Sequence, residues 1–128
     1  MMFDRAVVDS SVFVAFYWAK DTQHTEALRV MEELASARLV VHPYVIQEVA
    51  TVLTQKLGLS VAKKFLTDIS SSSNVEIVWV DVKADVDAFV RTSTPISFTD
   101  VALVRLAKSD DIRLFTFDRK LLSLFKNS

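Results

Sequence analysis

Arg5-Ala6-Val7-Val8-Asp9-Ser10-Ser11 is a short apolar run closed by a carboxylate and two hydroxyls. It is too short for a helix and rich in branched residues, so it reads as a buried strand with its acid at the carboxyl end. Three further runs have the same character, at residues 39–42, 75–80 and 113–117, and with 5–9 they make about four strands. Longer amphipathic stretches lie between them. In residues 21–37, Ala27, Leu28, Met31 and Leu34 recur at helical spacing behind Asp21, which is expected to cap that helix. Another helix is expected from about Ser60 to the Ser70–Ser73 run, which reads as its frayed end before the third strand. Strand alternating with helix predicts an α/β, doubly wound parallel sheet flanked by helices, whose sites form at the carboxyl ends of the strands.

A chain of 128 residues is the length of one domain, and residues 1–128 are read as a single domain with no linker and no internal repeat. An apolar fraction of 51% with 24% charged residues is that of an ordinary globular protein rather than a disordered one. No apolar run reaches the length of a membrane span and the N-terminus has no signal-peptide pattern, so a cytoplasmic protein without membrane association is expected. The lack of cysteine excludes disulfides, thiol catalysis and thiolate metal sites, leaving oxygen ligands and the two histidines, His24 and His42, both read as structural. With one glycine, Gly58, neither the Walker loop nor the dinucleotide fingerprint can be written. Fifteen basic residues against sixteen acidic ones give a net charge of -1, so any contact with nucleic acid must come from local basic groups.

Four acids stand out. Asp9 ends the first run, where a carboxylate beside buried apolar residues needs a compensating partner: a cation, or the start of the helix through Val12, Val14, Ala15 and Phe16. Asp118 repeats the situation after Leu114-Phe115-Thr116-Phe117, and it too fits a cap, for a helix through Leu121, Leu122 and Phe125. Ser97-Phe98-Thr99-Asp100 fits a capping box, although such boxes favour the longer Glu or Gln at the third position. Glu48 flanks the apolar stripe Val45, Ile46, Val49, Val52, Leu53 and fits either a surface glutamate or a site residue. Taken together, the four can converge on one pocket at the carboxyl edge of the sheet.

The order Val7-Val8-Asp9-Ser10-Ser11, Val45-Ile46-Gln47-Glu48-Val49, Ser97-Phe98-Thr99-Asp100-Val101-Ala102-Leu103 and Thr116-Phe117-Asp118-Arg119-Lys120 resembles the PIN domain family, in particular its small VapC-type toxins. The similarity covers nearly the whole chain. It implies that Asp9, Glu48, Asp100 and Asp118 are the metal-binding and catalytic acids, and that Ser10 or Ser11, Ser97 and Thr116 are the supporting hydroxyls. Ser11 stands where the family often has asparagine, and no further strand is expected after the helix that follows Asp118. The resemblance further implies an endoribonuclease for single-stranded or loop RNA that leaves a 5′-phosphate and a 3′-hydroxyl. A homodimer and a cognate antitoxin are implied as partners.

Carboxylates without a soft ligand select Mg²⁺ or Mn²⁺. Arg119, and after it Arg105, is expected to touch flanking phosphates of the RNA, and some rings of the Phe13, Phe16, Tyr17, Trp18 cluster are expected to face a partner, the rest to pack in the core. Two other readings fit parts of the pattern. A phosphate-accepting receiver domain shares the strand-end acids but lacks the expected adjacent acid pair and late lysine, and a PIN-like scaffold without catalysis would share the whole fold.

Overall fold

The computed structural model describes residues 4–127. Four parallel strands, β1 (Arg5–Val8), β2 (Arg38–Val41), β3 (Val75–Ile77) and β4 (Arg113–Phe115), form one sheet in the order β3-β2-β1-β4. Register pairs Val7 with Val40 on one side and with Leu114 on the other. Seven helices connect and cover the sheet: α1 (Ser10–Tyr17), α2 (His24–Glu33), α3 (Pro43–Leu57), α4 (Leu59–Ser71), α5 (Val82–Val90), α6 (Phe98–Ser109) and α7 (Arg119–Lys126). The doubly wound α/β expectation is met.

Strands β1, β3 and β4 are shorter than their apolar runs, and β1 and β2 end where the chain turns directly from ladder to helix cap. Asp9, His42 and Asp118 all have extended backbones and side chains that accept from amides in the first turn of α1, α3 and α7. These residues therefore end strands by starting helices. The third run stops at Ile77, and Trp79 beyond it is 99% exposed.

The α2 reading needs correction. That helix starts at His24 rather than behind Asp21, whose carboxylate instead accepts from Gln23 N at 2.7 Å in a preceding turn. Ala27, Val30 and Leu34 are buried, whereas Leu28 is exposed. Gly58, with φ of 96°, lies between α3 and α4, where its amide closes onto Leu53 O and Thr54 O at 3.1 Å. A residue with a Cβ adopts that backbone only with strain, which explains the placement of the sole glycine.

The core is a hydrophobic cluster in which the sheet residues Ala6, Val7, Val8, Val40 and Val41 are fully buried between Val12, Phe13, Val45, Val49 and Leu103 from the helices. Phe13, Tyr17 and Phe65 pack edge to face around α1 and α4, so these members of the aromatic cluster serve the core. His24 Nδ1 lies 2.7 Å from Ala15 O and ties α2 to α1.

The sequence order of the strands reverses at β1. Strands β2 and β3 lie successively to one side of it and β4 to the other, which makes the gap at the carboxyl ends of β1 and β4 the topological switch point.

Candidate metal centre

Asp9 sits at that switch point, 3% exposed, with its amide bonded to Phe115 O of β4 at 3.0 Å. Its Oδ2 accepts from Thr116 Oγ1 at 2.8 Å and Ser11 Oγ at 2.9 Å, with a longer contact to Ser11 N at 3.5 Å. Those hydroxyls are themselves held. Phe117 N donates to Ser11 Oγ at 3.0 Å and Asp118 N to Thr116 Oγ1 at 2.9 Å. One carboxylate oxygen is thereby fixed, while Oδ1 receives only a 3.4 Å contact from Ser10 among the described residues. A half-engaged, immobile carboxylate is a preorganised ligand for a cation.

Glu48 reaches the same place from α3, its carboxylate receiving the Ser10 hydroxyl at 3.1 and 3.3 Å. Asp100 stands in the first turn of α6, where Ser97 Oγ accepts from Asp100 N at 3.0 Å. The capping interaction expected for Ser97 is present, and it coexists with an acid that faces the cluster. Asp118 caps α7, its Oδ1 accepting from Lys120 N at 2.9 Å and Leu121 N at 3.3 Å.

Burial is the first reason that the Asp100 carboxyl is pushed up to about 6, and the charges of Asp9, Asp118 and Glu48 add to it, against the opposing Ser97 hydrogen bond. Glu48 is also raised, by burial first and by Asp9 and Asp118 last, with the Ser10 hydrogen bond opposing. The charges that shift both acids are carboxylates alone. Four acids, from the β1–α1 junction, α3, α6 and the β4–α7 junction, thus act on one another electrostatically.

Among the described residues, no three of these acids stand close enough to hold one ion together. Hard ions such as Mg²⁺ are commonly bound through one or two carboxylates with water in the remaining positions, so the oxygen-only donor set and its excess of negative charge fit such an ion.

The two basic residues expected at phosphates are placed differently. Arg119 is exposed at the start of α7 and lines a cleft of about 670 Å³ with Thr94, Pro95, Ile96 and Lys120. Arg105 is committed elsewhere: its Nε donates at 3.0 Å to Asp85, a carboxylate only 2% exposed. Tyr44 OH donates to the other oxygen of Asp85 at 3.3 Å. Asp85 is a residue that sequence reasoning missed, because a buried acid on α5 looks like any charged helix position until its partner on α6 is known. His42 lies near this pair, is held below its ordinary pKa chiefly by burial, and its Nδ1 accepts from Tyr44 N at 3.1 Å.

No helix among the described residues is long and apolar enough to cross a membrane. Comparison with curated proteins finds no match. Among solved structures, VapC20 of Mycobacterium tuberculosis, a sarcin-ricin loop cleaving toxin, aligns with a TM-score of 0.81 at 24% identity, over 93% of this chain and 94% of that one. PAE2754 of Pyrobaculum aerophilum aligns with a TM-score of 0.62 at 18% identity, over 93% of this chain and 83% of that one. At these identities the likeness is one of fold. The family model of the PIN domain matches residues 6–126, with all four acids inside the match, and the chain therefore belongs to the PIN domain family.

Proposed function

We propose that residues 1–128 act as one metal-dependent endoribonuclease domain that cuts single-stranded or loop RNA, as the toxin of a toxin–antitoxin pair. The observation that carries this reading is the convergence of Asp9, Glu48, Asp100 and Asp118, with Asp100 and Glu48 both raised by burial and by the neighbouring carboxylates. An acidic pocket of this kind is stabilised by a divalent cation, and Asp9, Asp100 and Asp118 are the residues proposed to hold Mg²⁺ or Mn²⁺, directly or through water. When bound, such an ion lowers the pKa of a coordinated water and offsets charge on the phosphoryl group.

The chain's own groups do the rest. Thr116 and Ser11 fix Asp9 against rotation, and Ser10 aims Glu48 into the pocket. Glu48, whose carboxyl is more basic than usual, positions the attacking water and accepts its proton. Arg119 binds a phosphate beside the scissile one, whereas Arg105 leaves that set because Asp85 already engages its Nε. A second copy of the chain and an antitoxin segment are the proposed protein partners. The exposed apolar residues Trp79, Val82, Val86 and Val90 support a partner surface.

Among the described residues no three acids form a direct cage, which favours, as a second reading, a PIN-like scaffold without catalysis. A labelled single-stranded RNA incubated with the protein in Mn²⁺ separates the two. Cleavage that stops in chelator and in the Asp9→Asn variant is the expected result. No cleavage by folded wild-type protein in Mn²⁺, or cleavage at full rate in chelator, refutes the metal nuclease.

A further inference from the structure

Two clefts flank the acids and share Glu48 and Val52. One, of about 390 Å³, runs past Ser10, Ser11, Gln23 and Phe117. The other, of about 480 Å³, is bounded by Tyr44, Gln47, Thr51, Phe98 and Thr99, none of which has a part in the chemistry proposed above. Tyr44, Gln47, Glu48 and Thr51 follow the spacing of one helical face, so the α3 surface that delivers Glu48 to the acids also forms the wall of this second cleft.

The two rings in that cleft are fixed from behind. Tyr44 and Phe98 meet with centroids 5.5 Å apart and planes tilted by 37°. His42 backs Tyr44 at 4.3 Å, Asp85 holds its hydroxyl, and Phe89 backs Phe98 at 5.7 Å. Both rings remain half-buried, not closed over. Beside them, the side chains of Gln47, Thr51 and Thr99 have no hydrogen-bond partner among the described residues. Immobile aromatic surface next to uncommitted amide and hydroxyl groups is what an unpaired base needs: a face to stack on and partners for its edge.

Building on the ribonuclease reading, we propose that this cleft is a nucleobase subsite. The base of a nucleotide next to the scissile phosphate stacks on Tyr44 and Phe98, and Gln47 reads its edge. Position decides in favour of a base over another apolar group. The cleft opens onto Glu48, so its occupant is whatever adjoins the phosphate at the acids. In RNA that is a base, free to enter only when it is not already stacked in a duplex. The Asp85–Arg105 pair adds a hydrogen bond to the Tyr44 hydroxyl, alongside the ring contacts that hold its face.

The test uses the 128-residue chain with Asp9→Asn, to prevent cleavage, and short single-stranded oligoribonucleotides that each carry 2-aminopurine at one position. One position should be quenched on binding, and Tyr44→Leu should abolish that quenching and weaken binding about ten- to hundredfold, the range typical of a lost base–aromatic stack. Tyr44→Phe should retain both. Gln47→Ala, at an exposed position with no side-chain hydrogen bond among the described residues, should keep the quenching but narrow the difference in affinity between bases at that position. The proposal is overturned if no position is quenched, if quenching survives Tyr44→Leu, if Gln47→Ala leaves base preference untouched, or if duplex RNA is quenched equally. Quenching without cleavage by the wild type would uphold the base site and refute the nuclease. Cleavage without quenching would do the reverse.

Discussion

Replacing Asp100 by Asn removes one charge from the acid cluster while keeping the side-chain volume and the backbone amide that bonds to Ser97. In the folded protein this carboxyl is raised from 3.8 to about 6, first by burial and then by Asp9, Asp118 and Glu48. At 1.36 kcal/mol per pH unit the difference is worth about 3 kcal/mol, and because the group is only half-buried, water screening reduces the observable part to about 1–2 kcal/mol. An acid in the first turn of a helix contributes about 0.3–1 kcal/mol in the opposite sense. The net gain for Asp100→Asn at neutral pH without metal is therefore about 0–1.7 kcal/mol, centred on about 1 kcal/mol, or up to about 7 °C in Tm for a chain of this size. Between pH 3.8 and 6 the folded wild type binds more protons than the unfolded chain, so its stability falls as pH rises through that window. The variant lacks this contribution, and its advantage should vanish below pH 3.8. Thermal melts of both proteins at pH 3.5, 5 and 7.5, with and without Mn²⁺, read all of this. Ligand binding to the folded state adds about 2.7 kcal/mol at a hundredfold excess over Kd, and the variant should show less of it. If Asp100→Asn melts lower than wild type at neutral pH without metal and responds equally to Mn²⁺, Asp100 is a helix-start residue and the four-acid site is wrong.

Ser10→Ala withdraws the hydrogen bond that holds the Glu48 carboxyl down, so the acid limb of the pH–rate profile should move to higher pH, and an unmoved limb would remove Glu48 from proton transfer. Arg105→Ala leaves Asp85 charged and buried, and should cost about 3–5 kcal/mol in chemical denaturation, whereas Asp85→Asn leaves an arginine that can turn to solvent and should cost less. Equal losses in the two variants would mean that burial of Asp85 is not the governing term. Arg119→Ala should raise KM for RNA more than it lowers kcat if the guanidinium binds substrate and transition state alike, and steady-state kinetics with both constants unchanged would return Arg119 to the ordinary surface.

The strands were legible because branched apolar runs such as Val7-Val8 and Leu39-Val40-Val41 are buried on both faces in a parallel sheet and are too short for helices. The acids were legible from position, since Asp9 and Asp118 lie where strands hand over to helices. Helix α5 was not. Its buried residue is the carboxylate Asp85, while Val82, Val86, Phe89 and Val90 are exposed, so its polarity is inverted relative to an ordinary amphipathic helix. Leu28 misleads for a related reason: helical spacing identifies a stripe but not which of its members meets the core. The fate of Arg105 and the meeting of Tyr44 with Phe98 are tertiary facts, fixed only once α3, α5 and α6 are brought together.

The hydroxyl that locks Asp9 comes from Thr116, 107 residues further along the chain, and the amide that locks Ser11 comes from Phe117, 106 residues further along. The Ser10–Glu48 half of the site, by contrast, spans 38 residues. During synthesis the chain emerges from its N-terminus at roughly 5–20 residues per second, so Glu48 and Ser10 can meet several seconds before Thr116 can reach Asp9. Pairing so distant in sequence is also slow to form, because the loop must close before any contact rewards it. A growing chain consequently carries its acids in an unlocked state until β4 has been made and has docked beside β1. The proposed metal site is therefore completed only once β4 has docked, and a truncation before Thr116 leaves Asp9 held by Ser11 without the second hydroxyl.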